Sequence, residues 1–416
     1  MNKIPENWIT YKISDLCDFQ NGYAFNSSDY VEEGMPIIRM SNISIDGNLN
    51  LTSENTKYYP REKVEILKKY VLNKNDVVMA MTDMTKDMGI IGKTAIIDED
   101  NKYLLNQRVG RLIIKNPKIL DYKYLHRYTN SPRFLDYAKQ QCSGGVQLNL
   151  STKAILNHKI ILPSTIEEQQ EIVQVLDTMN DIIRLRKECI SHAQDLIPAL
   201  FQEMFGNPLT NDKNLPIVRI DTVTKVVSGG TPSTQNSEYW DGDIIWLTPK
   251  DLSGYNSMYI SKGERNITDL GYKKSSAQMM PKGSVLFTSR APIGYVAIAD
   301  TDLCTNQGFK SFIPTEAIKS EYLYQLLKMS KEKIINMSSG ATFKEISGGR
   351  IKELKIPLPP IELQEQFAEK VRGINSYIKE QNEELANAKQ MFQSLLHHAF
   401  TGELTNNKPQ GDTLEK

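Results

Sequence analysis

The sequence predicts an α+β fold in which a mixed α/β globule followed by a long helix occurs twice. Two observations support this. Short stretches within residues 34–155 recur in the same order within residues 242–351. Each half also ends in apolar residues spaced alternately four and three apart. Such self-similarity indicates one structural unit copied along the chain, and 416 residues suffice for two or three domains with their own cores.

The composition is typical of a globular chain. No apolar run approaches the ~20 residues of a membrane span, and the first residues, MNKIPENWITYK, lack the apolar stretch of a signal peptide. We therefore expect a cytoplasmic location. The cysteines are scattered without a CxxC pair, so neither structural zinc nor a disulfide framework is expected. They are Cys17, Cys142, Cys189 and Cys304.

The net charge is zero, but its distribution is uneven. Residues 1–163 hold 22 Lys/Arg against 18 Asp/Glu, and residues 207–359 hold 19 against 15. Residues 164–206 hold 3 against 8, and residues 360–404 hold 4 against 7. Basic segments therefore alternate with acidic ones. The excess fits a nucleic-acid partner for the basic segments, although ordinary surface scatter explains it equally well.

Five pairs of stretches define the repeat. They are GMPIIRMSNIS with GDIIWLTPKDLS, LNKNDVVMAMT with MPKGSVLFTSR, MGIIGKTAII with APIGYVAIA, LLNQRVGRLII with LCTNQGFKSFI, and QCSGGVQLNLSTKAI with NMSSGATFKEISGGRI. Within them, β-branched runs such as DVVMAM, TAIIDED, RLIIK, DIIWL and SVLFT predict strands. Residues 124–140 and 320–337 each predict a helix. Each globule is thus mixed α and β, and these patterns do not give the strand order.

The two long helices carry the strongest pattern. Apolar positions alternate four and three apart over five heptads, which predicts the seam of a coiled coil. Corresponding positions lie 195 residues apart, and the polar exceptions, Arg186 and Gln381, fall at the same step. Such a polar residue is expected to fix helix register. Pro198 is expected to bend, end or locally break the first helix. The seams are Ile172, Leu176, Met179, Ile183, Arg186, Ile190, Ala193, Ile197, Leu200 and Met204, and Phe367, Val371, Ile374, Ile378, Gln381, Leu385, Ala388, Phe392, Leu395 and Ala399.

A similar junction precedes each helix: KIILPSTIEEQQEI from Lys159 and KIPLPPIELQEQF from Lys355. The prolines end the preceding strand, and the Glu/Gln cluster suits the first turn of a helix. The predicted segments are globule one over 1–163, a helix over 164–206, globule two over 207–359, a helix over 360–404 and a polar tail over 405–416.

If the helices pair antiparallel, the second returns toward globule one. About 40 residues of helix span roughly 60 Å. The globules would then lie at opposite ends of a rod, related by a pseudo-twofold axis. Duplex DNA is a ligand of matching symmetry, since a rigid spacer can measure distance along it.

Taken together, the junctions ILP…EEQ and LPP…LQEQ, the heptad helices and their ends LFQEMFG and LLHHAFTG resemble the specificity subunit of type I restriction-modification systems. The resemblance covers essentially the whole chain. In globule two, SGGTPSTQNSEYWDGDIIWLTPKDLS, TSRAPIG and TNQGF look like its target-recognition domain. Globule one departs from this pattern, with QNGYAF and TDMTKDMGIIG at the corresponding places. Such divergence is expected in this family, because each domain reads a different half-site.

The resemblance implies a chain with no catalytic residues of its own. Two target-recognition domains would each read half of a split sequence in double-stranded DNA, and the helices would set the spacer. The helices would also recruit two methyltransferase (modification) subunits, joined by restriction/translocase subunits. The cofactors implied are S-adenosylmethionine, ATP and magnesium, all belonging to those partners, and none is expected in this chain.

The sequence motifs agree with the expectation that the chain has no catalytic site. There is no glycine-rich methyl-donor loop and no NPPY-type motif. GIIGKT, from Gly89, ends like a phosphate-binding loop, but that loop needs a glycine where Asp87 stands. The corresponding PIGYVA in globule two has no lysine. A turn after a strand is therefore the favoured interpretation.

Arg, Lys, Asn and Gln side chains on loops between strands are the candidates for contacts with base edges or phosphates. Arg290 is the strongest, because it directly follows a predicted strand. For each candidate, the alternative to a DNA contact is a solvated surface side chain or an amide that stabilises a turn. Gln107 and Gln307 both follow an asparagine and are equally consistent with a structural role. The DNA-contact candidates are Asn21, Arg39, Lys86, Arg108 and Gln147 in globule one, and Thr231, Lys250, Arg290, Gln307 and Lys344 in globule two.

Two other functional classes compete with DNA recognition. One is a two-lobed coiled-coil scaffold or adaptor that reads no DNA sequence. The other is a single-chain enzyme, which the absence of cofactor motifs disfavours.

Overall fold

A computed structural model describes residues 7–85, 87–143, 147–290, 292–338 and 345–404. The chain divides into two compact units. Unit 1 comprises Met1–Leu185 and Leu385–Lys416, and unit 2 comprises Arg186–Glu384. The division falls in the middle of both long helices, so each unit holds one globule and half of each helix. The segment boundaries given by the sequence, including the tail over 405–416 outside the described residues, stay predictions.

Short strands and helices build the globule of unit 1, and the first long helix, α5, leaves it. Three 3₁₀ turns, Ser27–Asp29, Met40–Asn42 and Arg61–Tyr70, lie between the strands. The elements are β1 Trp8–Lys12, α1 Ile13–Leu16, β2 Cys17–Asn21, β3 Met35–Ile38, β4 Lys57–Tyr59, β5 Val71–Leu72, β6 Val77–Ala80, β7 Thr82–Asp83, β8 Thr94–Ile96, β9 Tyr103–Leu105, β10 Val109–Ile114, α2 Tyr122–Thr129, α3 Pro132–Gln140, β11 Leu148–Asn149, α4 Thr152–Asn157, β12 Lys159–Pro163 and α5 Ile166–Phe205.

The globule of unit 2 follows a similar order, and the second long helix, α10, leaves it. Its 3₁₀ turns are Ile220–Thr222, Ser237–Tyr239 and Pro249–Leu252. The elements are β13 Ile217–Arg219, β14 Thr224–Ser228, β15 Trp240–Leu247, β16 Tyr259–Ile260, β17 Arg265–Ile267, α6 Asp269–Lys273, β18 Val285–Phe287, β19 Val296–Ala299, β20 Cys304–Thr305, β21 Lys310–Pro314, α7 Ser320–Met329, α8 Lys331–Asn336, α9 Gly348–Lys352, β22 Lys355–Pro357 and α10 Ile361–Ala399.

The sheets of the two units share one topology. The antiparallel sheet β2-β10-β6-β8 of unit 1 corresponds to β14-β21-β18-β19 in unit 2, where β16 adds a fifth strand. The order β4-β3-β9 corresponds to β17-β15-β20, and both contain one parallel pair, β3 with β9 and β15 with β20. The pairs β1-β12 and β13-β22 join the first and last strands of each globule. The predicted fold class, with its tandem repeat, is confirmed.

Two of the predicted helices are each divided into two. Residues 124–140 fall in α2 and α3, because Pro132 stands at the start of α3 and cannot donate the hydrogen bond that would continue α2. Residues 320–337 fall in α7 and α8, separated by Ser330. Pro198, in contrast, lies inside α5, which continues to Phe205.

Every position of both predicted seams is buried or half-buried. In unit 2 the helices run antiparallel, since Arg186 in the middle of α5 contacts Gln381, whereas Phe201 near its end contacts Phe367 near the start of α10. Arg186 Nη1 donates to Gln381 Oε1 at 2.8 Å and also to Glu384, and Gln381 Nε2 donates to Glu384 Oε2 at 3.1 Å. The two polar seam residues therefore satisfy each other, and their role in setting helix register stays a prediction.

Aromatic residues pack the end of each long helix onto a globule. The end of α10 packs on the globule of unit 1, and the end of α5 packs on the globule of unit 2. In unit 1, the ring of Phe400, just beyond α10, meets Tyr124 and Tyr128 edge-on, with centroids 5.4 and 5.2 Å apart. In unit 2, Phe205 at the end of α5 meets Tyr322 edge-on at 4.9 Å. The helix ends are thus part of each core, and their apolar burial stabilises the attachment of globule to helix.

A fully buried glutamine in the first turns of each long helix binds the main chain of its globule. Gln169 accepts a hydrogen bond from the amide of Asp121 at 3.0 Å and donates to the carbonyls of Ile119 and Pro163 at 2.9 and 3.2 Å. Gln364, 195 residues later, accepts from the Lys319 amide at 2.9 Å and donates to Ala317 and Pro359 at 3.2 and 2.8 Å. These glutamines belong to the repeated junctions EEQQ and LQEQ.

Unit 1 also encloses two histidines. His126 is bonded to Thr94 Oγ1 at 3.2 Å, and His158 Nε2 to the Tyr128 hydroxyl at 2.8 Å. Burial, with a further contribution from Arg127, lowers the pKa of His126 to about 3. Burial, with a smaller effect of Arg133, lowers the pKa of His158 to about 4. Both imidazoles are therefore neutral in the folded state at physiological pH.

We predict that Gln364→Glu destabilises the protein although it preserves side-chain size. A carboxylate cannot donate to the carbonyls of Ala317 and Pro359, and leaving buried acceptors unpaired costs about 1–3 kcal/mol each. Thermal unfolding should show a lower Tm. The exposed neighbour Gln366, changed to Glu, is the control and should melt like the wild type. A Gln364→Glu protein with unchanged Tm would show that the glutamine acts by packing alone.

The buried histidines predict acid sensitivity. Because their folded pKa values lie below the ordinary 6.5, the unfolded state binds more protons below that pH, and stability present above pH 6.5 is lost as the pH falls toward 4 and then 3. Between pH 7 and pH 5 this amounts to about 2 kcal/mol per histidine. Urea unfolding at both pH values measures it.

The same measurement on His126→Gln isolates one histidine from the carboxylates that titrate with it. We expect the loss of stability between pH 7 and pH 5 to shrink by about 2 kcal/mol relative to wild type. His192→Gln, at an exposed position of α5, should leave the pH dependence unchanged. Equal pH dependence in all three proteins contradicts the account.

Candidate nucleic-acid interface

In each unit a glycine that follows an edge strand, β2 in unit 1 and β14 in unit 2, lies directly against an Asn-Gln turn. A Cβ on Gly22 would stand 2.1 Å from the carbonyl oxygen of Asn106, and a Cβ on Gly229 would stand 2.1 Å from that of Asn306. No side chain fits at that distance, so both positions require glycine. The close approach brings the segment after β2, or β14, beside the turn that precedes β10, or β21.

The asparagine of each turn is structural. The Asn106 amide donates to the Ile38 carbonyl at 3.2 Å, and its Oδ1 accepts from the Arg108 amide at 3.1 Å. The Asn306 amide donates to Leu247 at 2.9 Å, and its Oδ1 accepts from Gly308 at 2.8 Å. The glutamines that follow, Gln107 and Gln307, are exposed. The scaffold thus presents one glutamine side chain per unit.

In unit 2, three predicted contact residues lie on adjoining segments. Thr231, just beyond the close glycine, donates its hydroxyl to Gln307 Oε1. The amide of Ser289, next to Arg290, donates to the carbonyl of Gly308 at 2.8 Å. Arg290, Thr231 and Gln307 therefore surround one turn.

Arg290 pairs with Glu345. Its backbone forms an antiparallel bridge with that residue, and Arg290 Nη1 lies 3.8 Å from Glu345 Oε2. The two side chains are 38% and 46% exposed, so the ion pair adds little stability and leaves the guanidinium accessible.

Lys250 lies on the neighbouring 3₁₀ turn Pro249–Leu252. A Cβ on Gly308 would come within 2.9 Å of the Pro249 ring, so this turn is adjacent to the Asn-Gln turn. Lys250 Nζ lies 2.7 Å from Glu264 Oε2, with both side chains more than 60% exposed (76% and 62%). Its charge is therefore available on the surface.

In unit 1, Arg39 and Arg108 flank the corresponding turn. Arg39 follows Ile38, the acceptor for Asn106, and its own amide donates to Asn42 Oδ1 at 3.0 Å. Arg108 follows Gln107, and its guanidinium contacts Met84 Sδ at 3.9 Å. The hydrogen bond from the Asn106 amide to the Ile38 carbonyl therefore brings the backbone segments of the two arginines together.

Asn21 and Gln147 have local partners. Asn21 Oδ1 accepts from the Thr152 hydroxyl at 3.3 Å, and Gln147 Nε2 donates to Asn149 Oδ1 at 3.1 Å. Lys86 and Lys344 lie outside the described residues. The assignment of all ten residues to DNA contact stays a prediction.

Sequence reasoning missed two buried charged residues of these faces. Asp83 accepts hydrogen bonds from the amides of Thr85 at 2.8 Å and Ile90 at 2.9 Å. Burial raises the pKa of its carboxyl, but these hydrogen bonds outweigh burial and hold the pKa below its ordinary value. Lys310 opens β21 and is 8% exposed. The repeat alignment contained a signal for it, since glycine stands at the corresponding place in unit 1, Gly110.

Metal-ligand clusters, membrane-spanning helices and reactive thiols would mark other kinds of site in the described part of the chain. No group of three His, Cys, Asp or Glu side chains there could hold a metal ion. No helix there is long and apolar enough to cross a membrane. The four cysteines are free thiols, and burial raises the pKa of Cys17 and Cys304 to about 12, which disfavours the reactive thiolate.

Relatives with curated names are specificity subunits. The MjaX specificity subunit of Methanocaldococcus jannaschii, described as a putative type I restriction enzyme subunit, is 24% identical over 95% of this chain and 94% of its own length. The MjaIX subunit of the same organism is 47% identical over 41% of each chain. The Escherichia coli EcoBI subunit is 23% identical over 97% of this chain and 87% of its own.

Solved structures share the fold. A chain from a structure of a type I restriction-modification system, described for its complex assembly and conformational transition, has a TM-score of 0.62 at 17% identity and covers 97% of this chain and 100% of its own. The type I S subunit from M. genitalium has a TM-score of 0.57 at 15% identity, with 96% and 97% covered.

The family comparison covers both halves of the chain. The profile described as "Type I restriction modification DNA specificity domain" matches residues 5–192 and again residues 213–387. Each match contains one globule and reaches into the long helix that follows it. The chain therefore belongs to the type I restriction-modification DNA specificity family.

Proposed function

We propose that this chain is the specificity subunit of a type I restriction-modification enzyme, in which each recognition domain reads one half of a bipartite sequence in double-stranded DNA. One observation carries the proposal: the two units present the same main-chain scaffold with different side chains on it. Gly22 and Gly229 pack alike, and so do Asn106 and Asn306. Beside them, the buried Thr82 of unit 1 stands where unit 2 has the more exposed Arg290.

This arrangement suits two readers of different sequences. Base edges in the major groove are distinguished by the donors and acceptors of individual side chains, whereas the scaffold that presents them need not change. A pair of identical faces would read a symmetric target, whereas a pair with one scaffold and different side chains would read two unrelated half-sites. A scaffold that reads no DNA would have no need for this pattern of constancy and change.

The long helices are proposed to set the spacer and to recruit two methyltransferase subunits, with restriction/translocase subunits completing the enzyme. Both helices are continuous over about 40 residues, α5 with 40 and α10 with 39, and a helix of that length is a stiff spacer. By sequence α5 carries five excess negative charges and α10 two, and these acidic surfaces favour protein partners over the phosphate backbone of DNA.

The chemistry of the assembled enzyme is proposed to lie in the partners. Methyl transfer from S-adenosylmethionine and ATP- and magnesium-dependent restriction need binding loops that this sequence does not contain. The role of the present chain is binding and positioning alone. A cytoplasmic location, where those partners meet chromosomal DNA, is part of the same proposal.

The direct test is the methylome of the host. Deleting the gene should abolish one split N6-methyladenine motif across the genome, and restoring it should bring the motif back. If no split motif disappears on deletion while the methyltransferase partner remains expressed, the proposed function is wrong.

Exchanging residues 207–359 for the recognition domain of a relative should change one half of the motif and leave the other. The exchange is feasible because Gln364 binds only main-chain groups of the domain. Sequencing the methylated genome of the chimera identifies both halves. The reciprocal exchange of residues 1–163 should change the other half. A change in both halves after either exchange contradicts independent reading.

Arg290→Ala should weaken binding of the reconstituted complex to its cognate duplex by roughly tenfold, since one specific arginine contact contributes about 1–3 kcal/mol. Stability should be unchanged, because the pair with Glu345 is exposed. Arg219→Ala removes an equally exposed pair, with Asp221, from the outer β13 strand of the same unit. This control should bind like the wild type. Equal affinities of the two variants would exclude Arg290 as a contact.

A further inference from the structure

Lys310 occupies an unusual place for a lysine. It opens β21 opposite Ser228 of β14, and the whole residue is 8% exposed. Lysine is rarely buried to this extent unless its ammonium is paired. A buried lysine therefore needs either an acceptor in the protein or another reason to be there.

Among the described residues, the one acceptor recorded for the Lys310 ammonium is a weak one. Its Nζ lies 3.5 Å from the carbonyl oxygen of the adjacent Phe309, at the outer limit of a hydrogen bond. Among the described residues no carboxylate forms an ion pair with it. Glu345, the nearest source of negative charge, is already engaged by Arg290 at 3.8 Å. Within the described part of the chain, this largely buried lysine thus leaves most of the hydrogen-bonding capacity of its ammonium unused.

The electrostatics agree with this geometry. Burial is the main influence and lowers the pKa of Lys310, Glu345 raises it, and Arg290 lowers it. The net direction is downward, so the environment disfavours the charge. Removing a charge from water without full compensation costs stability, and such a cost is a frequent mark of functional sites.

We propose that Lys310 is a DNA-contact residue of the second recognition domain, its ammonium donating to an oxygen or nitrogen acceptor of the bound duplex. The inference rests on the proposed function and extends it to a residue inside the sheet. The acceptor is either a guanine O6 or N7 edge or a phosphate oxygen, both of which lysine binds in DNA complexes. Either would complete the hydrogen bonding that the protein leaves open.

The position of Lys310 favours this assignment. Its partner Ser228 directly precedes Gly229, the residue that requires close approach to the Asn306 turn. Its electrostatic neighbours are Arg290, the strongest contact candidate, and Glu345. Lys310 therefore lies beneath the face that carries Thr231, Arg290 and Gln307, rather than in an unrelated part of the core.

The first recognition domain lacks this feature. Gly110 stands at the corresponding position, opposite Asn21, and a Cβ there would lie 1.9 Å from Cζ of Phe19. No side chain fits without displacing that ring. A buried cation at this position is thus specific to the second domain, and its loss should affect only the half-site that this domain reads.

The test is Lys310→Met in the full-length chain assembled with its modification subunits. Methionine keeps the length and apolar stem of lysine and removes the charge. We expect affinity for the cognate duplex to fall roughly tenfold while the Tm of the chain stays equal or rises by about 2 °C. A structural lysine would behave in the opposite way, with a lower Tm and unchanged affinity.

Lys225→Met is the matched control. Lys225 lies on β14 of the same sheet and is exposed, so its replacement removes the same charge from solvent. It should leave both affinity and Tm close to wild type. If Lys225→Met and Lys310→Met reduce affinity equally, the effect is one of total charge and the proposal is overturned.

Two further measurements on the Lys310→Met variant identify the DNA group that accepts the hydrogen bond. If Lys310 donates to a phosphate, the variant binds all duplexes more weakly and its salt dependence decreases by about one unit of slope. If it donates to a base, the methylated motif becomes degenerate at one position of the second half-site. If the wild-type complex shows no preference among duplex sequences, the proposed function itself is wrong. If the wild type is sequence-selective and the Lys310→Met variant binds the cognate duplex with the same affinity, only this inference is wrong.

Discussion

The structure depends on one kind of interaction, a buried glutamine side chain that binds three main-chain groups where a globule meets its helix. Gln169 and Gln364 each satisfy one amide and two carbonyls at 2.8 to 3.2 Å, in fully buried surroundings. Buried polar groups of this kind are costly when unpaired, so the junction admits one geometry. Because the partners are main-chain atoms, the geometry is independent of the side chains that the globule carries. The junction can therefore hold recognition domains of different sequence in the same way.

Other contacts that the two repeats share also involve main-chain atoms of the globules. The hydroxyls of Tyr124 and Tyr322 donate to the carbonyls of Ile161 and Pro357, at 3.2 and 2.7 Å. Gly22 and Gly229 meet carbonyl oxygens, as described above. Polar side chains of the junctions bind main chain and aromatic rings pack helix onto globule, whereas the side chains on the recognition faces differ between the two units. Because different side chains hold the framework and form the recognition faces, a protein built from two copies of one unit can present two different surfaces to DNA.

How much of this structure the sequence predicts depends on how far apart along the chain the interacting residues lie. The heptad helices were predictable because periodicity is a local property, and even the polar pair Arg186 and Gln381 was recognisable from its equal step in both copies. The junction glutamines were assigned only to the first turns of the helices, because their partners lie 48 and 45 residues away in sequence for Asp121 and Lys319. Lys310 escaped notice because its burial depends on a sheet whose strand order the sequence does not give. Family resemblance supplied the function, which no single residue pattern carries.

Hydrogen exchange at two backbone amides tests the central claim, that each recognition domain is fixed to its helix by the buried glutamine. The amides of Asp121 and Lys319 both lie near chain turns, where fast exchange is the ordinary expectation. If the glutamine junctions hold, both amides should exchange only when their unit unfolds globally, at the rate of core amides such as that of Val285 in β18. Exchange at the rate of exposed loop amides at either position would mean that the junction opens in the folded protein, which contradicts the account.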